Sequence, residues 1–144
     1  MGAEIKKQVI KELGLLDLSG RSRCLRPCYI SRHVVEEGKG GRSNPFHWVV
    51  NVGGYPILNF VIQFRGKAGK YFQVQVRHHH PSASIGPTAT FVFASESGNL
   101  GPAGFEIATF NGLRPMLPEV DIVAFSDDDT NFDTVAATVY ATVA

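Results

Sequence analysis

Charge is in short supply in this chain of 144 residues: 19% of positions are charged, and 14 Lys and Arg against 13 Asp and Glu leave a net charge of +1. That balance excludes the self-repelling ensemble of a highly charged disordered chain and lacks the overall basicity of most nucleic-acid binders. Long apolar runs are missing too. Runs such as 48–50 and 91–94 fall far short of the roughly 20 residues needed to span a bilayer. No uninterrupted apolar stretch follows Met1, so neither a secretory signal nor a membrane span is expected, and the compartment stays open. No repeat or low-complexity tract divides the chain. What is present is an ordinary globular composition, 44% hydrophobic with 15 glycines and 8 prolines. A domain of this size buries roughly 68–70% of its unfolded surface, enough to fold without metal or disulfide.

Cysteine is limited to Cys24 and Cys28. Three intervening residues do not make the C-x-x-C of redox enzymes, and no second pair completes a four-thiolate zinc site. Two free structural thiols are the expectation, with Arg23 and Arg26 alongside as the feature that could lower a thiol pKa. The charges are unevenly spread. Residues 1–45 carry nine cations against five acids, and residues 46–144 carry five against eight. Arg21, Arg23, Arg26 and Arg32 form a basic arm, whereas no Lys or Arg follows Arg114. The plain reading is a set of solvated faces. The functional reading is complementarity, with the arm of one copy meeting the acidic end of another copy or of a different partner. Tyr29 is the single aromatic near the arm, too few for a nucleic-acid surface built on stacking.

Periodicity divides the chain at about residue 20. Over 3–14, Ile5, Val9, Ile10 and Leu13 recur at helical spacing and Gly14 supplies a stop, which predicts one short N-terminal α-helix. Three turns are marginal alone in water, so its apolar stripe needs a surface to pack on. Leu15, Leu16 and Leu18 continue as an apolar connector to Ser19-Gly20. Residues 1–20 are thus helix and connector, and 21–144 a single domain preceded by the basic arm.

From Cys28 the period becomes two. Eight strands are expected, near 28–36, 47–52, 57–65, 71–78, 88–95, 105–110, 119–126 and 134–143, separated by Gly, Pro, Asn and Ser clusters. In the clearest, Phe72, Val74 and Val76 alternate with Gln73, Gln75 and Arg77, the mark of a half-buried antiparallel strand. Segment 66–69 reads as a short hairpin loop, and 81–87 and 97–104 as longer connections able to cross between sheets. The fold class is therefore all-β: an antiparallel β-sandwich of jelly-roll or Greek-key type. The last segment, 134–143, carries no charge. Exposed at an edge it would be a pairing hazard, so it is either central in its sheet or paired with another chain.

Chemistry-bearing clusters are few. His78 and His80 in His78-His79-His80 share one face of a strand, but a catalytic metal wants a third ligand, for which His33 and His47 are available. A polar strand end is the competing reading. Asp127, Asp129, Asn131 and Asp133 have the oxygen spacing of a calcium loop, yet Phe132 stands where such a loop needs glycine and Thr138 where it needs glutamate. An acidic turn capping its own backbone fits better. No nucleophile elbow or phosphate loop is present. Trp48 and Tyr55 are candidate sugar platforms, although Trp48 sits in an apolar run suited to core packing.

These features point to a non-enzymatic assembly protein without cofactor or structural metal. The expected role is a subunit of a larger particle, such as a viral or phage capsid, decoration or tail component. Ile5, Val9, Ile10 and Leu13, with Arg21, Arg23, Arg26 and Arg32, would dock on neighbouring subunits of the same or another kind, with no membrane and no nucleic acid. The alternative is a carbohydrate- or ligand-binding module built on loops 38–46, 81–87 and 97–104. A third reading is a metal enzyme using His78 and His80.

Overall fold

The computed structural model describes residues 28–82 and 86–143. Eight strands follow in order: β1 (Tyr29–Lys39), β2 (Phe46–Asn51), β3 (Ile57–Arg65), β4 (Tyr71–Ser82), β5 (Gly86–Asn99), β6 (Phe105–Leu113), β7 (Glu119–Phe125) and β8 (Phe132–Thr142). They form two antiparallel four-stranded sheets with the orders β1-β8-β3-β6 and β2-β7-β4-β5. The pairs β1·β8, β2·β7, β3·β6 and β4·β5 are those of one long hairpin running out through four strands and back through four. Rolling that hairpin adds β3·β8 and β4·β7 and yields the jelly roll. All eight expected strands are present, and β8 is central, flanked by β1 and β3. No helix occurs among the described residues; the expected helix over 3–14 lies outside them, as do Ile5, Val9, Ile10, Leu13, Arg21, Arg23 and Arg26.

Alternation explains the core. Leu58, Phe60, Ile62 and Phe64 of β3 and Val135, Ala137, Val139 and Ala141 of β8 are all buried, as period two requires when one face of each sheet meets the other. From the opposite sheet come Phe46, Val50, Phe72, Val74, Val76, Val120, Ile122 and Ala124, with Trp48 packed against the edge of the cluster. Phe64 stacks on Phe72 across the sandwich at 4.6 Å between ring centroids and tilts against Phe132 at 4.9 Å. Each such contact is worth about 0.5–1.5 kcal/mol beyond simple burial.

Three expectations need correction. Segment 66–69 is not a hairpin, because β3 and β4 belong to opposite sheets; its turn is tight because Gly69 adopts φ +80°, a conformation costly for other residues. Segment 81–87 does not cross between sheets, since β4 and β5 pair directly up to Ser82↔Gly86. Pro81, which cannot donate to the ladder, falls at the irregular step between His80 and Ser82. The other segment expected to cross, 97–104, does so: residues 100–104 carry the chain from β5 to β6 in the opposite sheet. Finally, Cys28 is disulfide-bonded, not a free thiol, and Cys24, the other cysteine of the chain, lies outside the described residues.

The loops sort to two ends. At one end β1–β2, β3–β4, β5–β6 and β7–β8 interlock through Ser126 N–H to Gly40 O (2.7 Å), Gly66 N–H to Gly104 O (2.9 Å) and Gly69 N–H to Leu100 O (2.8 Å). At the other end the β2–β3 and β6–β7 loops meet through Val52 N–H to Pro118 O (2.7 Å). Gly104 is the least replaceable glycine of the first end: its φ is +72°, and a Cβ there would strike the carbonyl oxygen of Gly66. Gly104→Ala is expected to lower stability by roughly 2–4 kcal/mol. Gly69→Ala, with open space around the added methyl group, should lose only about 1 kcal/mol. Urea unfolding of the two variants measures the difference.

Candidate functional site

His78 continues the core side of β4 beyond Phe72, Val74 and Val76 and is fully buried, so it is not the polar strand end its sequence position suggested. Its ring lies parallel to Phe93 at 4.5 Å and tilted against Phe91 at 5.3 Å. Nε2 accepts the Met116 N–H at 3.1 Å, and Nδ1 lies 2.9 Å from the Glu119 carbonyl oxygen. Only a neutral ring protonated on Nδ1 satisfies both partners. The imidazole thereby fastens the β6–β7 loop from inside and has no nitrogen left for a metal.

That loop forms one wall of an apolar cleft. Pro115, Met116, Leu117 and Pro118 face Val52, Gly53, Gly54, Tyr55 and Pro56 of the β2–β3 loop around about 300 Å³. Tyr55 is buried and Met116 is the most exposed large hydrophobic side chain described, at 73%. The cleft was not anticipated from sequence; its signal was the facing pair of proline-bearing loops that also hold Met116 and Leu117.

The acidic segment lies at the opposite end and is already supplied with donors. Lys70 Nζ donates to Asp128 Oδ1 at 2.8 Å and sits 5.2 Å from the centre of the Phe132 ring. Thr130 N–H donates to the same carboxylate at 2.9 Å, the backbone capping expected of an acidic turn. Ser43 Oγ donates to Asp129 Oδ1 at 2.6 Å, Arg42 stands 3.6 Å from it, and Gly41 N–H donates to Asn131 Oδ1 at 2.9 Å. The hydrogen bond from Lys70 chiefly holds the Asp128 carboxyl below its ordinary value of 3.8, and the bond from Ser43 does the same for Asp129. The acidic stretch of the sequence is therefore met in space by cations from the first half of the chain.

The remaining candidates do not converge. His33 is on the outer side of β1, 2.8 Å from Thr138 Oγ1. His47 is on the outer side of β2, against Asp121. His80 pairs with Ala89 in the ladder, and its side chain is outside the described set. Among the described residues no three His, Cys, Asp or Glu are placed to hold a metal ion. Loops 38–46 and 97–104 lie at the end opposite the β4–β5 turn, so the three loops suggested for a sugar site are not brought together. Arg32, on the edge strand β1, is exposed, with Nη1 3.1 Å from the Ser31 carbonyl. Sequence reasoning also missed Asp121, buried at 1% beneath His47 and Arg77. Arg77 grips its Oδ2 from Nη2 at 2.6 Å and Nε at 3.0 Å. A lone acid at an outward position of the apolar strand 120–124 was the available signal.

The outer face of the β1-β8-β3-β6 sheet is unlike the rest of the surface. Its rows run Tyr29-Thr142-Ile57, Ser31-Tyr140-Asn59, His33-Thr138-Val61-Thr109 and Val35-Ala136-Gln63-Ile107. None of these positions is Asp, Glu, Lys or Arg. Among the described residues, four of the seven exposed large hydrophobics, Tyr29, Val35, Ile107 and Tyr140, lie here. Charge returns only in the next row, Glu37-Thr134-Arg65-Phe105, where Arg65 lies 5.6 Å from the Phe105 ring centre.

No family model matches this chain, and no curated protein matches it. Solved structures do resemble it in outline. A xylan-binding domain of carbohydrate-binding module family 22 is 12% identical, with 81% of this chain and 88% of that one covered at a TM-score of 0.48. A pilus protein of Bacillus endospore appendages is 6% identical, covering 81% and 89% at 0.44. The coat protein of Tobacco streak virus is 10% identical, covering 83% and 89% at 0.41. The likeness is one of general β-sandwich architecture and reaches no further. No helix among the described residues is long and apolar enough to cross a membrane.

Two outcomes follow from the pinned loop and the clamped turn. His78→Phe preserves the ring stack but strands the Met116 N–H and the Glu119 carbonyl, and urea unfolding should register a loss of roughly 2–5 kcal/mol; exposed His33→Ala should stay within about 0.5 kcal/mol. Lys70→Met should raise the Asp128 pKa toward 3.8, read by carboxyl-carbon NMR titration. Because both aspartates titrate below their unfolded value, their contribution is present above it and fades as pH falls through the lowered folded value. In the Lys70→Met protein the Lys70 part of that contribution is missing above the carboxylate range, so stability near neutral pH should be lower and its fall with acid shallower than in the unmodified chain.

Proposed function

We propose that this protein is a non-enzymatic structural subunit of a larger particle, of the capsid, decoration or tail kind found in viruses and phages. The observation that carries the reading is the uncharged outer face of the β1-β8-β3-β6 sheet, with Tyr29, Val35, Ile107 and Tyr140 exposed on it. A helix carrying Ile5, Val9, Ile10 and Leu13 on one stripe complements such a face, as a helix layer complements a sheet. The occupant proposed is that helix, contributed by a neighbouring copy. Arm exchange of this sort would serve both partners: the helix is marginal alone, and no described residue covers the sheet face.

Charge complementarity between the basic arm and the acidic turn loses its support, since Lys70 and Arg42 already sit on Asp128 and Asp129. The contact proposed is chiefly apolar, and salt should not dissolve it.

The test is native mass by size-exclusion chromatography with light scattering at low and high salt. A defined oligomer or larger assembly is expected at both. Tyr140→Glu and Ile107→Lys should weaken association by about tenfold or more with unchanged circular dichroism. Deleting 1–20 should leave a folded monomer. A salt-indifferent monomer from the unmodified chain, or a truncated chain that assembles normally, overturns the reading.

A further inference from the structure

The cleft between the β2–β3 and β6–β7 loops is built before anything enters it. His78 holds its Met116 wall through two backbone hydrogen bonds, and Val52 N–H to Pro118 O ties that wall to the other. Val52, Tyr55, Pro56, Met116, Leu117 and Pro118 line about 300 Å³ with no charged side chain among them. Water in such a space, about ten molecules' worth, has few polar partners to hold it. The 73% exposure of Met116 leaves at the rim an apolar surface that an apolar segment would cover.

The start of β1 lies at this same end. Tyr29 pairs with Thr142, and Thr142 with Ile57, so two strand spacings, about 10 Å, separate the head of β1 from the residue following Pro56 of the cleft. Ten positions upstream of Cys28 the sequence offers Leu15, Leu16 and Leu18, uncharged apart from Asp17. Ten residues can reach some 33 Å, and closing so short a loop requires little entropy. A segment of the same chain is also present at an effective concentration in the millimolar range, which a separate partner must exceed.

We infer that the connector Leu15, Leu16 and Leu18 seats in the cleft of its own copy and covers Met116. The anchored connector would fix where the basic arm leaves the sandwich and where the helix is offered to a neighbour. The inference goes beyond the assembly reading and stands for a monomer equally.

Methionine oxidation by hydrogen peroxide, followed by peptide mass spectrometry on the full-length protein, tests it. In the native chain Met116 should oxidise at least about fivefold more slowly than in the same chain unfolded in denaturant, as expected for a covered thioether. Leu16→Asp with Leu18→Asp should abolish that protection, and Leu16→Ile should keep it. Oxidation of native Met116 at the unfolded rate overturns the inference. Protection that fades on dilution also overturns it, by assigning the cover to a second copy. Native mass is measured separately, so failure of the assembly reading and failure of this one are distinguishable.

Discussion

Phe64 lies between Phe72 of the opposite sheet and Phe132 of its own, and the closure of the sandwich depends on that cluster. Rolling an eight-strand hairpin brings together residues far apart in sequence, and nothing local rewards the roll until the two inner faces meet. The phenylalanine contacts supply the reward at the end where four loops converge. Lys70 above the Phe132 ring links that core to the acidic turn. The polar clamp of Asp128 and Asp129 is thus an outer layer over the aromatic cluster, not an independent site.

The opposite end is organised by a polar residue in the core. A buried imidazole is tolerated because each nitrogen has a backbone partner, and those partners are what shape the β6–β7 loop. The cleft beside it is apolar and has walls tied by backbone hydrogen bonds. The outer sheet face follows from a different rule. When β8 is central, its outward residues become the middle of a surface, and around Ala136, Thr138, Tyr140 and Thr142 the paired positions on β1 and β3 carry no charge; only at Thr134 do Glu37 and Arg65 flank it.

Strand count and the inward-facing residues of the clearest strand were legible because both depend on period two, a local property; the uncharged last segment could be read only as central or paired with another chain, and the fold makes it central. The acidic segment could be read as a capped turn for the same reason: Asp and Asn bond their own backbone within a few residues. His78 was misread because the alternation that placed it beside Phe72, Val74 and Val76 could not say how far the core extends along β4. The charge asymmetry misled for a related reason, since Lys70 and Arg42 are 58 and 87 positions from their partners Asp128 and Asp129 in sequence but adjacent after rolling.

By itself, then, the sequence determined an all-β chain of eight strands with one buried side each, because side-chain alternation and turn residues act over a few positions. The tertiary structure alone decided which strands pair, that segment 66–69 joins two sheets, that His78 fastens a loop, that Asp121 lies beneath Arg77, and that four successive rows of one sheet face carry no charge. Those depend on contacts between segments distant in the chain, which are chosen by how the hairpin rolls to bury both inner faces together.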